Sequence, residues 1–71
     1  MPEKVTSAQQ AHAIAVSFIR KNSSIFFARP KKAVRDDGIW LVEIDVGAIM
    51  PKIAKVKVDA SSGEILEYDI P

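Results

Sequence analysis

The side chains that usually carry chemistry are few in this chain, and their spacing does not group them. His12 is the sole histidine and there is no cysteine, so a His-pair metal site, a Cys–His dyad and a thiolate cluster are excluded. His12 falls at the flank of a helical apolar stripe and reads as a partly exposed structural histidine. Ser7, Ser17, Ser23, Ser24, Ser61 and Ser62 fall at predicted caps, helix surface or turns. None has an identifiable base, so nucleophilic catalysis is not expected and no catalytic residue is assigned. Asp36, Asp37 and Asp59 could converge at one sheet end as a cation site. They read instead as turn aspartates that accept from nearby backbone amides, because the ligand spacing of a calcium loop is absent. The glycines, three in all, are scattered and serve turns rather than a phosphate loop. Neither a cofactor nor a small-molecule substrate is implied.

A second group of residues speaks to partners. Arg29-Pro30-Lys31-Lys32-Ala33-Val34-Arg35 is the strongest signal for nucleic acid. It lacks the exposed aromatic pairs of single-strand binders and the recognition helix of major-groove readers. Asn22-Ser23-Ser24 fits a glycosylation acceptor, incidental without a secretion signal. The segment Gly47-Ala48-Ile49-Met50-Pro51 is unusually apolar for a turn exposed to solvent, and contiguous exposed apolar surface marks partner sites.

The bulk numbers set the scale. Seventy-one residues, 48% hydrophobic and 27% charged, describe one globular domain over residues 1–71 rather than a disordered chain. A chain of this length buries only about 60% of the surface its unfolded form exposes, so a stability of about 5 kcal/mol is expected. Met1-Pro2-Glu3-Lys4-Val5 is not a signal peptide, and the apolar stretch after it is too short and polar to span a bilayer. A cytoplasmic protein with no membrane partner is the expectation. Net charge is +1, but its blocks alternate in sign along successive segments. Such a pattern suggests pairing across a sheet rather than a polyanion-binding tail.

The elements follow from periodicity. Ala8, Ala11, Ile14, Ala15, Phe18 and Ile19 recur at helical spacing and predict a helix over roughly 7–21. Thr6 or Ser7 caps it in a box with Gln9, Arg20 and Lys21 complement its dipole, and Asn22 is a candidate C-terminal cap. Trp40, Val42, Ile44 and Val46 alternate along one strand, Ala54, Val56, Val58 and Ala60 along the next, and Leu66, Tyr68 and Ile70 along the last. Closing the last hairpin over Ser61-Ser62-Gly63 sets Val58 opposite Leu66 and Lys57 opposite Glu67. Joining the middle strands through Gly47 to Lys52 sets Ile44 opposite Val56, with Lys57 between Glu43 and Glu67. A further edge strand, closed over Asp36-Asp37-Gly38, would set Val34 opposite Trp40 and Arg29 opposite Asp45; Pro30 confines it to an edge. The expected fold is α+β, with one N-terminal helix on an antiparallel meander of three to four strands. Trp40 is expected as a core anchor against the helix, near Phe18 or Ala15.

The helix pattern, the strand Gly38-Ile39-Trp40-Leu41-Val42-Glu43-Ile44 and the ending Val56-Lys57-Val58-Asp59-Ala60-Ser61-Ser62-Gly63-Glu64-Ile65-Leu66 together resemble PepSY domains. The hairpin carries most of the likeness. The resemblance implies a small cystatin-like module in a family associated with inhibiting or regulating peptidases, often in propeptides or at the cell envelope.

Two function classes follow. The first is a non-enzymatic protein-binding or regulatory module, meeting another protein or a second copy of itself. Its expected partner-binding residues are Leu41, Ile65, Ile39, Ile49 and Met50. With Ala33, the strand residues among them fall on the outer face of the sheet. The second is a small nucleic-acid-associated protein that binds through the basic segment 29–35. An enzyme ranks below both.

Overall fold

The computed structural model describes residues 3–71. Met1 and Pro2, where the stretch read as no signal peptide begins, lie outside the described residues. One helix, α1 (Ala8–Asn22), precedes four strands: β1 (Arg29–Asp36), β2 (Ile39–Asp45), β3 (Ile53–Asp59) and β4 (Ile65–Asp69). The strands form one antiparallel sheet in the order β1-β2-β3-β4, and the helix lies on one face. This is the expected α+β meander, with the fourth strand present.

The helix begins where its cap chemistry dictates. Ser7 is the N-cap, in extended backbone, and its Oγ accepts from the Gln10 amide at 3.2 Å. The reciprocal bond comes from Gln10 rather than Gln9: its Oε1 accepts from the Thr6 amide at 2.6 Å. At the other end Asn22 Nδ2 and Ser23 Oγ donate to the Phe18 and Ile19 carbonyls at 2.9 and 2.7 Å. The Ile19 carbonyl is one of the last four in the helix, which have no helical amide to accept from. Ala11, Ala15 and Ile19 are buried, so small side chains bring the helix axis close to the sheet; Ala8, expected in the stripe, is exposed.

The sheet's inner face supplies the rest of the core: Trp40, Val42, Ile44, Val46, Ala54, Val56, Val58 and Ala60. Val5 is also buried, at 1% exposure. It is tied at both ends of its peptide unit: its amide donates to the Ala60 carbonyl at 3.0 Å, and its carbonyl accepts from Trp40 Nε1 at 2.9 Å. Trp40 is thus the expected core anchor, held to the chain just before α1. The Phe18 and Tyr68 rings pack in a tilted arrangement, planes 60° apart and centroids 4.9 Å apart.

The register departs from expectation in three places, each with a cause in the hydrogen bonding of a turn. The β1–β2 turn is Asp37-Gly38, both at positive φ (50° and 80°), a two-residue turn whose twist suits a hairpin. It pairs Arg35 with Trp40 and Ala33 with Val42. A one-residue slip reverses faces, so Ala33 turns in against the core and Val34 turns out, 42% exposed. A bulge between Pro30 and Lys32 then restores the expected pairing of Arg29 with Asp45.

The β3–β4 hairpin shows the same behaviour. Its turn runs through Ala60 as well as Ser61, Ser62 and Gly63, closed by Asp59 N to Glu64 O and Gly63 N to Asp59 O, each 2.8 Å. Ala60 is drawn into the turn because its amide donates to Gly38 O at 2.9 Å. Val58 therefore pairs with Ile65, not Leu66, and a bulge restores Lys57 opposite Glu67.

The third departure is a two-residue shift between β2 and β3, which keeps every face. Val42 pairs with Val56, Glu43 with Lys55, and Lys57 lies between Leu41 and Glu67. The cause is Asp45. Its Oδ1 accepts from the Gly47 and Lys52 amides at 3.0 and 3.2 Å, which fixes it at the base of the connection instead of opposite Lys55.

Candidate interaction surfaces

The five residues expected to bind a partner divide among three places. Leu41 is on the outer face, 37% exposed, with Val34 opposite it on one side and Lys57 on the other. Ile39 shares that face by alternation with Trp40 and is half-buried beside Asp36 and Asp59. Ile65 does not belong there. The hairpin slip pairs it with Val58 and packs it against the core, while Leu66, expected inside, is 50% exposed. Ala33 leaves the outer face for the same kind of reason, so the outer apolar cluster reduces to Val34, Leu41 and part of Ile39.

Ile49 and Met50 are the most clearly bare of the five, at 97% and 70% exposure. They project from the β2–β3 connection, which a backbone bond from Val46 N to Lys52 O (2.8 Å) closes at its base. Gly47 makes its path possible: a Cβ there would stand 1.7 Å from the Met50 carbonyl oxygen. The carboxyl of Asp45 is held below its ordinary value, first by the Gly47 amide and then by that of Lys52, with Arg29 and Lys31 adding smaller attractions. The loop is therefore pinned at its base, and its tip carries the apolar side chains into solvent.

Phe26 is also bare, at 89% exposure. It precedes β1, whose first residue pairs with Asp45, so Phe26, Ile49 and Met50 all emerge at the same end of the sheet. From Leu41 to this end is about four residues of strand, roughly 13 Å. The outer-face cluster and the apolar end are thus separate surfaces. Arg29 caps the neighbouring half-buried Phe27, its guanidinium carbon 5.3 Å from the ring centroid.

The polar residues are occupied in structural ways. Asp59 Oδ1 accepts from Ser61 N at 2.9 Å and Ser62 Oγ from Glu64 N at 3.2 Å. Among the described residues no three His, Asp or Glu side chains group closely enough to hold a metal. His12 is half-buried, and burial lowers its pKa from the ordinary 6.5. No described helix is long and apolar enough to cross a membrane. Compared with known proteins, the chain matches no family model, no curated protein and no solved structure.

Proposed function

We propose that this chain is a non-enzymatic protein-binding module that meets another protein through the apolar end formed by Ile49, Met50 and Phe26. The observation that carries this reading is the exposure of Ile49 and Met50, 97% and 70%, on a loop whose base is held by three hydrogen bonds, from the Gly47 and Lys52 amides to Asp45 Oδ1 and from Val46 N to Lys52 O. Phe26, 89% exposed, lies beside it on the segment before β1. A defined loop that presents bare apolar side chains has the character of an interface centre, where burial of such anchors supplies most of the affinity. The PepSY resemblance supports a peptidase as the class of partner, with this module as its regulator. The serines fit this reading: Ser7, Ser23 and Ser62 are engaged with backbone groups as caps and turns.

Nucleic acid is the competing reading of the basic segment. Each of its four cations has a carboxylate beside or across from it: Arg35 contacts Glu3, Arg29 and Lys31 act on Asp45, and Lys32 lies opposite Glu43. That compensation leaves little potential for a phosphate backbone.

The test compares the parent with the Ile49→Ser, Met50→Ser double variant in sedimentation velocity over a concentration series, and in capture of a partner from lysate. Association lost in the double variant supports the proposal; a self-associating parent makes the partner a second copy. Association unchanged by the double substitution, or binding to DNA or RNA that weakens steeply with salt, would overturn it.

A further inference from the structure

The sheet has two edges, and they differ. On β1, Pro30 offers no amide, a bulge follows it, and Lys31, Lys32 and Arg35 line the strand; these devices discourage added strands. On β4 there is no proline and no lysine between Ile65 and Asp69. It has a neighbour on one side only, so half of its ladder groups point outward.

The helix leaves the inner face beside β4 incompletely covered. A groove of about 430 Å³ runs between α1 and β4, lined by Ile14, Ser17, Phe18, Lys21 and Ile65. Tyr68 and Leu66, on β4 itself, are 56% and 50% exposed. Along this edge Glu64, Glu67 and Asp69 are the charged residues, and all are acidic.

We infer that β4 accepts an extended segment of another protein, added as a fifth strand, in which apolar residues alternate with lysine or arginine. The chain's own β3 shows the required pattern from the other side. It reads Ile53-Ala54-Lys55-Val56-Lys57-Val58, with Lys55 opposite Asp69 and Lys57 opposite Glu67, the latter pair 3.4 Å apart. A strand on the open side meets, with its outer-face residues, Glu67, whose side chain stays 70% exposed beside Lys57, and the exposed Asp69. It places its inner-face residues in the groove against Phe18 and Ile65. Lys21 in the groove lining disfavours a base on that inner face, which sets which positions are basic and which apolar. Backbone pairing supplies affinity and the alternate side chains supply specificity. The proposal rests on the protein-binding reading but uses a different surface from the Ile49–Met50 loop, so the two fail separately.

The probe is a labelled peptide of about six residues alternating valine and lysine, titrated into the full chain by fluorescence anisotropy, with amide chemical shifts recorded in parallel. The expected result is saturable binding that weakens with salt, with shifts centred on β4 and the groove-facing residues of α1. The Glu67→Gln, Asp69→Asn double variant should bind about tenfold less tightly. A valine–glutamate peptide should not bind. Alternate N-methylation of the valine–lysine peptide, which blocks one edge of a strand without touching the protein, should abolish binding in one of its two registers. Shifts centred on Ile49 and Met50, equal binding of the acidic peptide, or indifference to N-methylation in both registers would each overturn the inference.

Discussion

The two ends of the sheet are built on opposite plans. At the end holding the Asp37-Gly38 and Ala60–Gly63 turns, hydrogen bonds join elements distant in sequence: the Val5 amide to the Ala60 carbonyl, the Ala60 amide to the Gly38 carbonyl, and the Trp40 indole to the Val5 carbonyl. The apolar side chains at these bonds are buried, with Val5 and Ala60 at 1% and 0% exposure, while the polar turn residues Asp37 and Ser61 face solvent. At the other end the bonds are local, from Asp45 to Gly47 and Lys52, and the residues they hold up are bare. One end fastens the fold, whereas the other is shaped without being covered. Apolar area left outside contributes nothing to folding, and its stabilising potential is available to a partner instead.

The largest effect expected is at the fastened end. Trp40→Ala removes a large buried side chain and orphans the Val5 carbonyl, and should cost about 3–5 kcal/mol, close to the whole stability of a domain this size. Urea unfolding followed by far-UV circular dichroism reads this directly. Trp40→Phe, which keeps most of the bulk but loses the hydrogen bond, should cost roughly 1 kcal/mol beyond the change in packing. A Trp40→Ala protein that unfolds at the parent midpoint would break the contrast between the ends.

Gly47→Ala acts at the other end. Its methyl would overlap the Met50 carbonyl oxygen, so the loop has to take a new path, at an expected cost of about 1–3 kcal/mol. Its stronger consequence is on the presentation of Ile49 and Met50, so partner association should fall even where the variant remains folded. Gly63→Ala tests the turn at the fastened end. A methyl there meets only ordinary contacts with Ile14 and Val5, but φ is +79°, so the cost should be about 1 kcal/mol.

Acid sensitivity sharpens the contrast further. Asp45 has its pKa lowered from 3.8 in the folded state by the Gly47 and Lys52 amides. A depressed carboxylate stabilises above its unfolded value, and that contribution disappears as pH falls from about 3.8 through the folded value. Asp45→Asn should flatten this part of the pH–stability profile. His12 is likewise depressed, from 6.5, by burial. Below 6.5 the unfolded chain takes up a proton that the folded chain resists, so stability declines as pH falls through that range. His12→Gln should remove that slope.

Much of the architecture was legible in the sequence because periodicity reports it directly. The helix, the order of the strands and the inward positions of Trp40, Val42, Ile44, Val56 and Val58 all follow from spacing. Register was legible only in part. Asp37-Gly38 is the dipeptide that favours a two-residue hairpin turn, a local signal that would have placed Ala33 inside and Val34 outside. The inclusion of Ala60 in the last turn was not legible, since it depends on an amide reaching Gly38 across the fold. Nor was the burial of Val5, set by the Trp40 indole 35 residues away in sequence. Of the residues expected to bind a partner, the loop pair was visible as apolar residues in a turn, while Ile65 was assigned to the wrong face because a bulge of one residue is silent in an alternating pattern.

The central claim is that Ile49 and Met50 do not contribute to folding, although they are among the larger apolar side chains of the chain. Thermal unfolding of the Ile49→Ser, Met50→Ser double variant tests it most directly, measured at a protein concentration low enough to keep the chain unassociated. At 97% and 70% exposure their replacement should leave stability within about 0.5 kcal/mol of the parent. A loss of about 2 kcal/mol or more, the size seen when a buried aliphatic side chain is truncated, would show that the loop packs into the core and that this end of the sheet is closed.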